Sequence, residues 1–181
     1  MNVGKISKWL AVIAIIAGVV RMIMTPMALI YGMDSIQEMI PGFTACLLMT
    51  IGAIGLYLAQ AERLGTIGFI SFILLTIGNI LVTLGAFMTL AGIPPQPDLM
   101  VVNILMMACL VIGSISFAIL TIRAKVLPRS GAMFMILFVL MMFSPAGSFL
   151  ALAWGLSYII LGFGILKKFS KSKDLAPATT L

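Results

Sequence analysis

Long apolar runs alternate along the chain with short clusters of charged residues, proline and glycine. A helix crossing the hydrocarbon core of a bilayer, about 30 Å thick, needs about 20 mainly apolar residues at about 1.5 Å of rise each. Applied to the apolar runs, that length predicts six spans, near residues 8–30, 41–60, 64–90, 99–122, 131–145 and 147–166. The fifth is the weakest, because only Ser144-Pro145-Ala146-Gly147 separates Phe143 from Phe149 and the last two runs can be drawn as one. A straight helix from Gly131 to Leu166 would be about 54 Å long, well beyond the bilayer core, and Pro-Ala-Gly is good turn chemistry at its middle. Two spans joined by a tight hairpin fit better.

Composition identifies the solvent of these helices. Hydrophobic residues make up 62% of the 181 and charged residues 9%, with a mean hydropathy of +1.25. A soluble domain has about 45–50% apolar and about 25% charged residues, so too few polar side chains are present to cover a globule in water. The predicted fold is an all-α polytopic transmembrane bundle, one helical domain over residues 1–166 followed by a basic tail, 167–181, with the lipid bilayer as its first partner.

Charge then orients the bundle. Lys5 and Lys8 precede the first span, Arg63 lies in the second connection, Arg123, Lys125 and Arg129 lie in the fourth, and Lys167, Lys168, Lys171 and Lys173 follow the last span. The alternate connections, residues 31–40, 91–98 and 144–147, hold no Lys or Arg and carry Asp34, Glu38 and Asp98 instead. Ten of the eleven basic residues therefore fall on one side, which the positive-inside rule makes cytoplasmic, with both termini inside. The net charge of +6 is spread between apolar runs and not gathered with aromatics into one patch, so nucleic-acid binding is not expected. The first run continues apolar past Arg21 without a small-x-small site and reads as a retained span, not a cleaved signal.

Local signals refine the connections. Ser35 and Glu38 have capping-box spacing and Pro41 suits the first turn of the next helix, which predicts a short helix on the outer surface before the second span. The tail after Lys173, with Pro177 and two threonines, reads as disordered. Two hairpins share the order Ala-Cys-Leu, Ile-Gly, basic turn, glycine, apolar helix, around Cys46 and Cys109. Chance similarity between apolar helices is the simpler account, and a true repeat would relate the hairpins by an axis along the membrane normal.

Candidate chemistry is sparse. All five carboxylates lie outside the predicted spans and there is no histidine, so acid–base and nucleophilic constellations, zinc-type ligand sets and proton relays lack candidates; neither an enzyme nor a cofactor or metal is expected. Cys46 and Cys109 lie at different depths and are expected to be free thiols. The fifteen methionines are scattered over the spans and read as apolar filler. Four residues remain as polar intramembrane candidates: Arg21, Asn79, Thr76 and Thr83. Arg21 has two readings, a side chain that snorkels to the outer headgroups or pairs with Asp34 or Glu38, and a cation lining a pathway or ligand site. Asn79, with Thr76 and Thr83 at helical spacing, reads first as interhelical hydrogen-bonding glue and second as a polar cavity wall. Ser71, Gly78 and Gly85, and Gly155 and Gly162, recur every seven residues and are expected to let backbones approach closely.

The segment LTIRAKVLPRSGAMFMI, in which Arg123, Val126, Leu127, Pro128 and Arg129 form a basic turn before a small-residue-rich hairpin, resembles small uncharacterised bacterial multi-pass membrane proteins. The resemblance covers the last third of the chain; it implies a bacterial cell inner (plasma) membrane and carries over no binding or catalytic residue. The function expected is that of a non-enzymatic integral membrane protein, an accessory subunit of a membrane complex or a homo-oligomer. The alternative is a small-solute carrier or channel whose solute contacts Arg21 and Asn79.

Overall fold

A computed structural model of the protein describes residues 3–94 and 99–174. Among these the chain forms α1 (Val3–Tyr31), α2 (Ile36–Leu58), α3 (Ala61–Leu90), α4 (Met100–Ala124), α5 (Arg129–Met142), a 3-10 turn (Pro145–Phe149) and α6 (Leu150–Asp174), with no strand. The all-α reading holds, and the apolar helices are those of an integral membrane bundle. Five of the six are long and apolar enough to cross a bilayer.

The exception is α5, which corrects the predicted fifth span. It stops at Met142 after 14 residues, about 21 Å of rise against a core of about 30 Å. Pro145 has no N–H to extend the helix and pushes Ser144 out of helical geometry, so the last turn expected up to residue 145 is lost. The split between the last two helices falls where the Pro-Ala-Gly turn predicted it.

The other boundaries follow local chemistry. Ser35 Oγ accepts from the Glu38 amide at 3.3 Å, and Glu38 Oε2 accepts from the Asp34 amide at 2.6 Å. This reciprocal cap starts α2 itself, so the separate outer helix expected there is the first turn of α2, and Pro41 lies inside the helix. After the turn at Ala59-Gln60, Gly65 takes φ 58°, ψ −158°, which sets residues 61–64 apart as a single turn before the spanning part of α3. Lys125 ends α4 in the left-handed region, Leu127 is buried, and Pro128 packs so closely on Gly164 that a Cβ there would collide with its ring. The basic turn of the resemblance is thus anchored on α6.

Helix α6 runs on through Asp174, so residues 167–174 of the expected tail continue the helix. The predicted disorder beyond residue 174, with Pro177, and the part of the third connection holding Asp98 fall outside the described residues.

Each helix packs on its neighbours in the chain, and α6 closes the ring on α1 while also touching α2. The α1–α6 seam is the closest: a Cβ on Gly18 would run into the Gly155 carbonyl, and one on Gly162 would meet the Ala11 carbonyl at 2.9 Å. Without a hydrophobic drive between helices in lipid, such backbone approach is a main source of association. Gly78 of α3 and Gly113 of α4 play the same part between those two helices. The two hairpins compared above both turn at the same end but differ in build, since α3 has 30 residues and α5 has 14.

Gly4, residues 59–63, Val126 and Lys168 line a common cavity of about 500 Å³, which gathers the start of α1, both basic turns and the end of α6 at one end of the bundle. Lys168 Nζ donates to the Ala59 carbonyl at 2.6 Å and Gln60 Nε2 to Thr121 Oγ1 at 2.9 Å, fastening α6 to α2 and α2 to α4 there. Asp34, in the turn between α1 and α2, and Glu38, in the first turn of α2, mark the opposite, acidic end.

Candidate functional site

The candidate site grows from Arg21 on α1. The residue is 6% exposed, so it does not snorkel to the surface. Among the described residues no carboxylate comes within ion-pair distance of it, so the pairing with Asp34 or Glu38 weighed for it is not made. Its contacts are a thiol and an indole: Nη1 donates to Cys46 Sγ of α2 at 3.3 Å, and Cζ lies 4.3 Å from the ring centre of Trp154 of α6. Trp154 in turn stacks on Phe138 of α5, centroids 4.2 Å apart and planes 21° apart. Glycine makes the room, because a Cβ on Gly42 would meet the Met24 side chain at 2.9 Å and Arg21 Nη1 at 3.8 Å.

Magnitudes show what this arrangement leaves undone. A central arginine in a membrane helix costs about 2.5–3.5 kcal/mol on insertion scales. A desolvated cation–π contact returns about 2 kcal/mol, and a thiol is a weak acceptor. Of the five N–H donors of a guanidinium, one has an acceptor among the described residues, and Nε is buried without one. Trp154 Nε1 is likewise a buried donor without an acceptor. The site has a cation without a contact ion pair among the described residues and with spare donors, and the buried Glu38 carboxylate acts on Arg21 through space without touching it.

Arg21 also lines a cavity of about 590 Å³ at the acidic end, between α1, α2, α3 and α4. Its wall is largely apolar and includes Met24, Met39, Met88 and Met106, while Asp34, Thr89 and Asn103, all exposed, place polar groups toward the solvent. Gly85 of α3 borders the same space, and a Cβ built on it would meet nothing within 4 Å. The seven-residue stripe on α3 is therefore split in use: Gly78 packs on Leu110, where a Cβ would come within 2.8 Å of the backbone, whereas Gly85 faces the cavity.

Asn79, Thr76 and Thr83 lie elsewhere. Asn79 is fully buried and its Nδ2 donates to the Tyr158 hydroxyl at 3.3 Å, a cross-bundle bond from α3 to α6. Thr76 Oγ1 donates to the Phe72 carbonyl and Thr83 Oγ1 to the Asn79 carbonyl, both at 2.8 Å and both within α3. None of the three lines the Arg21 cavity, so the structure does not bring the four candidates into one site. Nothing in the sequence marks Tyr158 or Trp154, and it reads Cys46 only as a free thiol and the cavity methionines only as filler. Their signal was weak: Met24 follows Arg21 by one turn, but nothing local marks Met88 or Met106 as its neighbours.

Both cysteines are free and buried, as expected from their depths. Against family models, curated proteins and solved structures, the chain gives no match.

Proposed function

We propose that this integral membrane protein binds an anionic solute in the Arg21 cavity and works as a small carrier or solute-binding protein, not as a passive accessory subunit. The single observation that carries this is a guanidinium nine-tenths buried, without a carboxylate partner, in the wall of a 590 Å³ cavity. Cavities of about 300–1,000 Å³ with an apolar lining and a few placed polar groups are the usual form of small-ligand sites. With the basic end in the cytoplasm, the cavity opens outside or, in a bacterial plasma membrane, toward the periplasm. The accessory-subunit reading has only the lack of catalytic residues behind it, whereas solute binding has a site.

The test uses the protein in phosphatidylcholine nanodiscs with Trp9→Phe, which removes the exposed tryptophan and leaves Trp154 beside Arg21 as the reporter. Butyrate is expected to shift Trp154 emission with saturation, butylammonium and butanol are not, and Arg21→Gln is expected to abolish the butyrate response. An equal response to the cation, or one that survives Arg21→Gln, would overturn the proposal.

A further inference from the structure

We infer that the solute is a single-chain fatty-acid-type monocarboxylate that enters from the outer leaflet through the α2–α3 seam, with its acyl chain in a groove on the lipid face of that seam. The inference rests on the Arg21 cavity being an anion site and adds the nature of the anion and its route.

The groove, about 490 Å³, is lined by Phe43, Leu47 and Ile51 of α2 and by Ile80, Leu84 and Phe87 of α3, with almost no polar surface. The same stretch of seam also forms the cavity wall, since Gly42 precedes Phe43 and Gly85 and Ala86 lie between Leu84 and Phe87. One face of the seam therefore borders the buried cation and the other borders lipid. The Phe43 and Phe87 rings, centroids 6.3 Å apart, lie across the seam between cavity and groove, so the inferred route requires one ring to turn aside. From Phe43 to Ile51 the groove runs about 12 Å along α2, from the level of Gly42 toward the middle of the bilayer. That is the course an acyl chain takes when its head lies near the outer end.

Charge selects the head. Arg21 supplies one positive charge to the cavity and Asp34 one negative charge, and the buried Glu38 carboxylate adds a second negative charge that acts on Arg21 through space, so a dianionic phosphomonoester meets repulsion that a monocarboxylate largely escapes. A planar carboxylate also matches the guanidinium fork in bidentate geometry. One groove accommodates one chain, which disfavours a two-chain phospholipid.

The experiment compares butyrate with dodecanoate in the nanodisc-held Trp9→Phe protein, and repeats both with Leu84→Phe and with Ile51→Phe, which fill the groove from opposite walls and leave Trp154 the single indole. Both sites are lipid-exposed, at 45% and 42%, so the bundle is expected to fold in either variant. Dodecanoate is expected to bind at least tenfold tighter than butyrate at matched lipid concentration. Both groove variants should shrink that chain-length gain to under threefold while leaving butyrate affinity unchanged. A gain that persists in both variants would overturn the groove assignment and leave the anion site standing. Tighter binding of dodecyl phosphate, or equal binding of lysophosphatidylcholine, would overturn the carboxylate assignment. Loss of every anion response in the parent protein would instead remove the reading on which this inference rests.

Discussion

Asn79 and Arg21 are both strongly polar side chains buried within the helices, and the bundle treats them differently. Asn79 finds its partner in another helix, the Tyr158 hydroxyl, and its neighbour Thr83 turns back to its own helix backbone. Arg21 meets a thiol and an indole face and no carboxylate, and it borders a cavity. Both keep one buried polar atom without a partner among the described residues, Asn79 Oδ1 and Arg21 Nε, so the difference lies elsewhere: Asn79 is neutral and ties two helices, whereas Arg21 is charged and borders a cavity. The same contrast appears in glycine: the α1–α6 seam is closed by Gly18 and Gly155, and the α2–α3–α4 end is left open at Gly85.

The largest expected effect lies in the closed region. Gly18→Val would drive a side chain into the Gly155 carbonyl, where backbone and not a flexible side-chain tip must give way. We expect a loss of more than about 3 kcal/mol, seen as little folded protein in size-exclusion chromatography, because overpacking of a tight core costs about 1–3 kcal/mol even where neighbours can shift. Gly78→Ala, against the Leu110 backbone, is expected to cost about 2 kcal/mol on the same grounds. A Gly18→Val protein as heat-stable as the parent would mean that the seam is not tight.

Asn79→Ala is expected to lower stability by about 1 kcal/mol, within the range of about 0.6 to about 1.7 kcal/mol measured for interhelical hydrogen bonds in membranes. Thermal unfolding followed by Trp154 emission would show it, and butyrate affinity should not change. Arg21→Gln should do the reverse, abolishing binding while altering stability by no more than about 0.5 kcal/mol, because the lost cation–π contact is offset by relief of a buried unpaired charge. A drop of more than about 2 kcal/mol in Arg21→Gln would make Arg21 a structural residue like Asn79 and erase the comparison.

Much of the fold was legible in the sequence, and the candidate site only in part. The apolar runs gave the helices, and the acidic and basic connections separated the two ends that the structure also separates. A run length carries α5 past Met142 because hydropathy does not register the pre-proline constraint at Ser144, and the Ser35 cap reads as a separate helix only when Pro41 is placed in the first turn of the next one, whereas Pro41 lies inside α2. Arg21 stood out as a charge in an apolar run. Its surroundings did not, since Cys46 and Trp154 reach it from two other helices, Met106 lines the same cavity from a third, and apolar spans carry almost no signal about which helices are neighbours. The methionines show the limit best: spread through the sequence they read as filler, yet four of them share one cavity wall.

The smallest expected effect concerns the open region. Gly85 stands one heptad after Gly78 on α3, and by spacing alone the two should behave alike. A Cβ on Gly85 has nothing within 4 Å, and its backbone is helical, so Gly85→Ala meets no clash and gains helix propensity of up to about 1 kcal/mol. Membrane helices already restrain the unfolded chain, so we expect about half of that, a stabilisation of about 0.5 kcal/mol in thermal unfolding. A single methyl group removes little of a 590 Å³ space, and butyrate affinity should stay within twofold of the parent. If Gly85→Ala instead destabilised the bundle as much as Gly78→Ala, the cavity would be closed by packing in the folded protein, Arg21 would have no space to serve, and the division into a tight seam and an open end would fail at the residue that defines it.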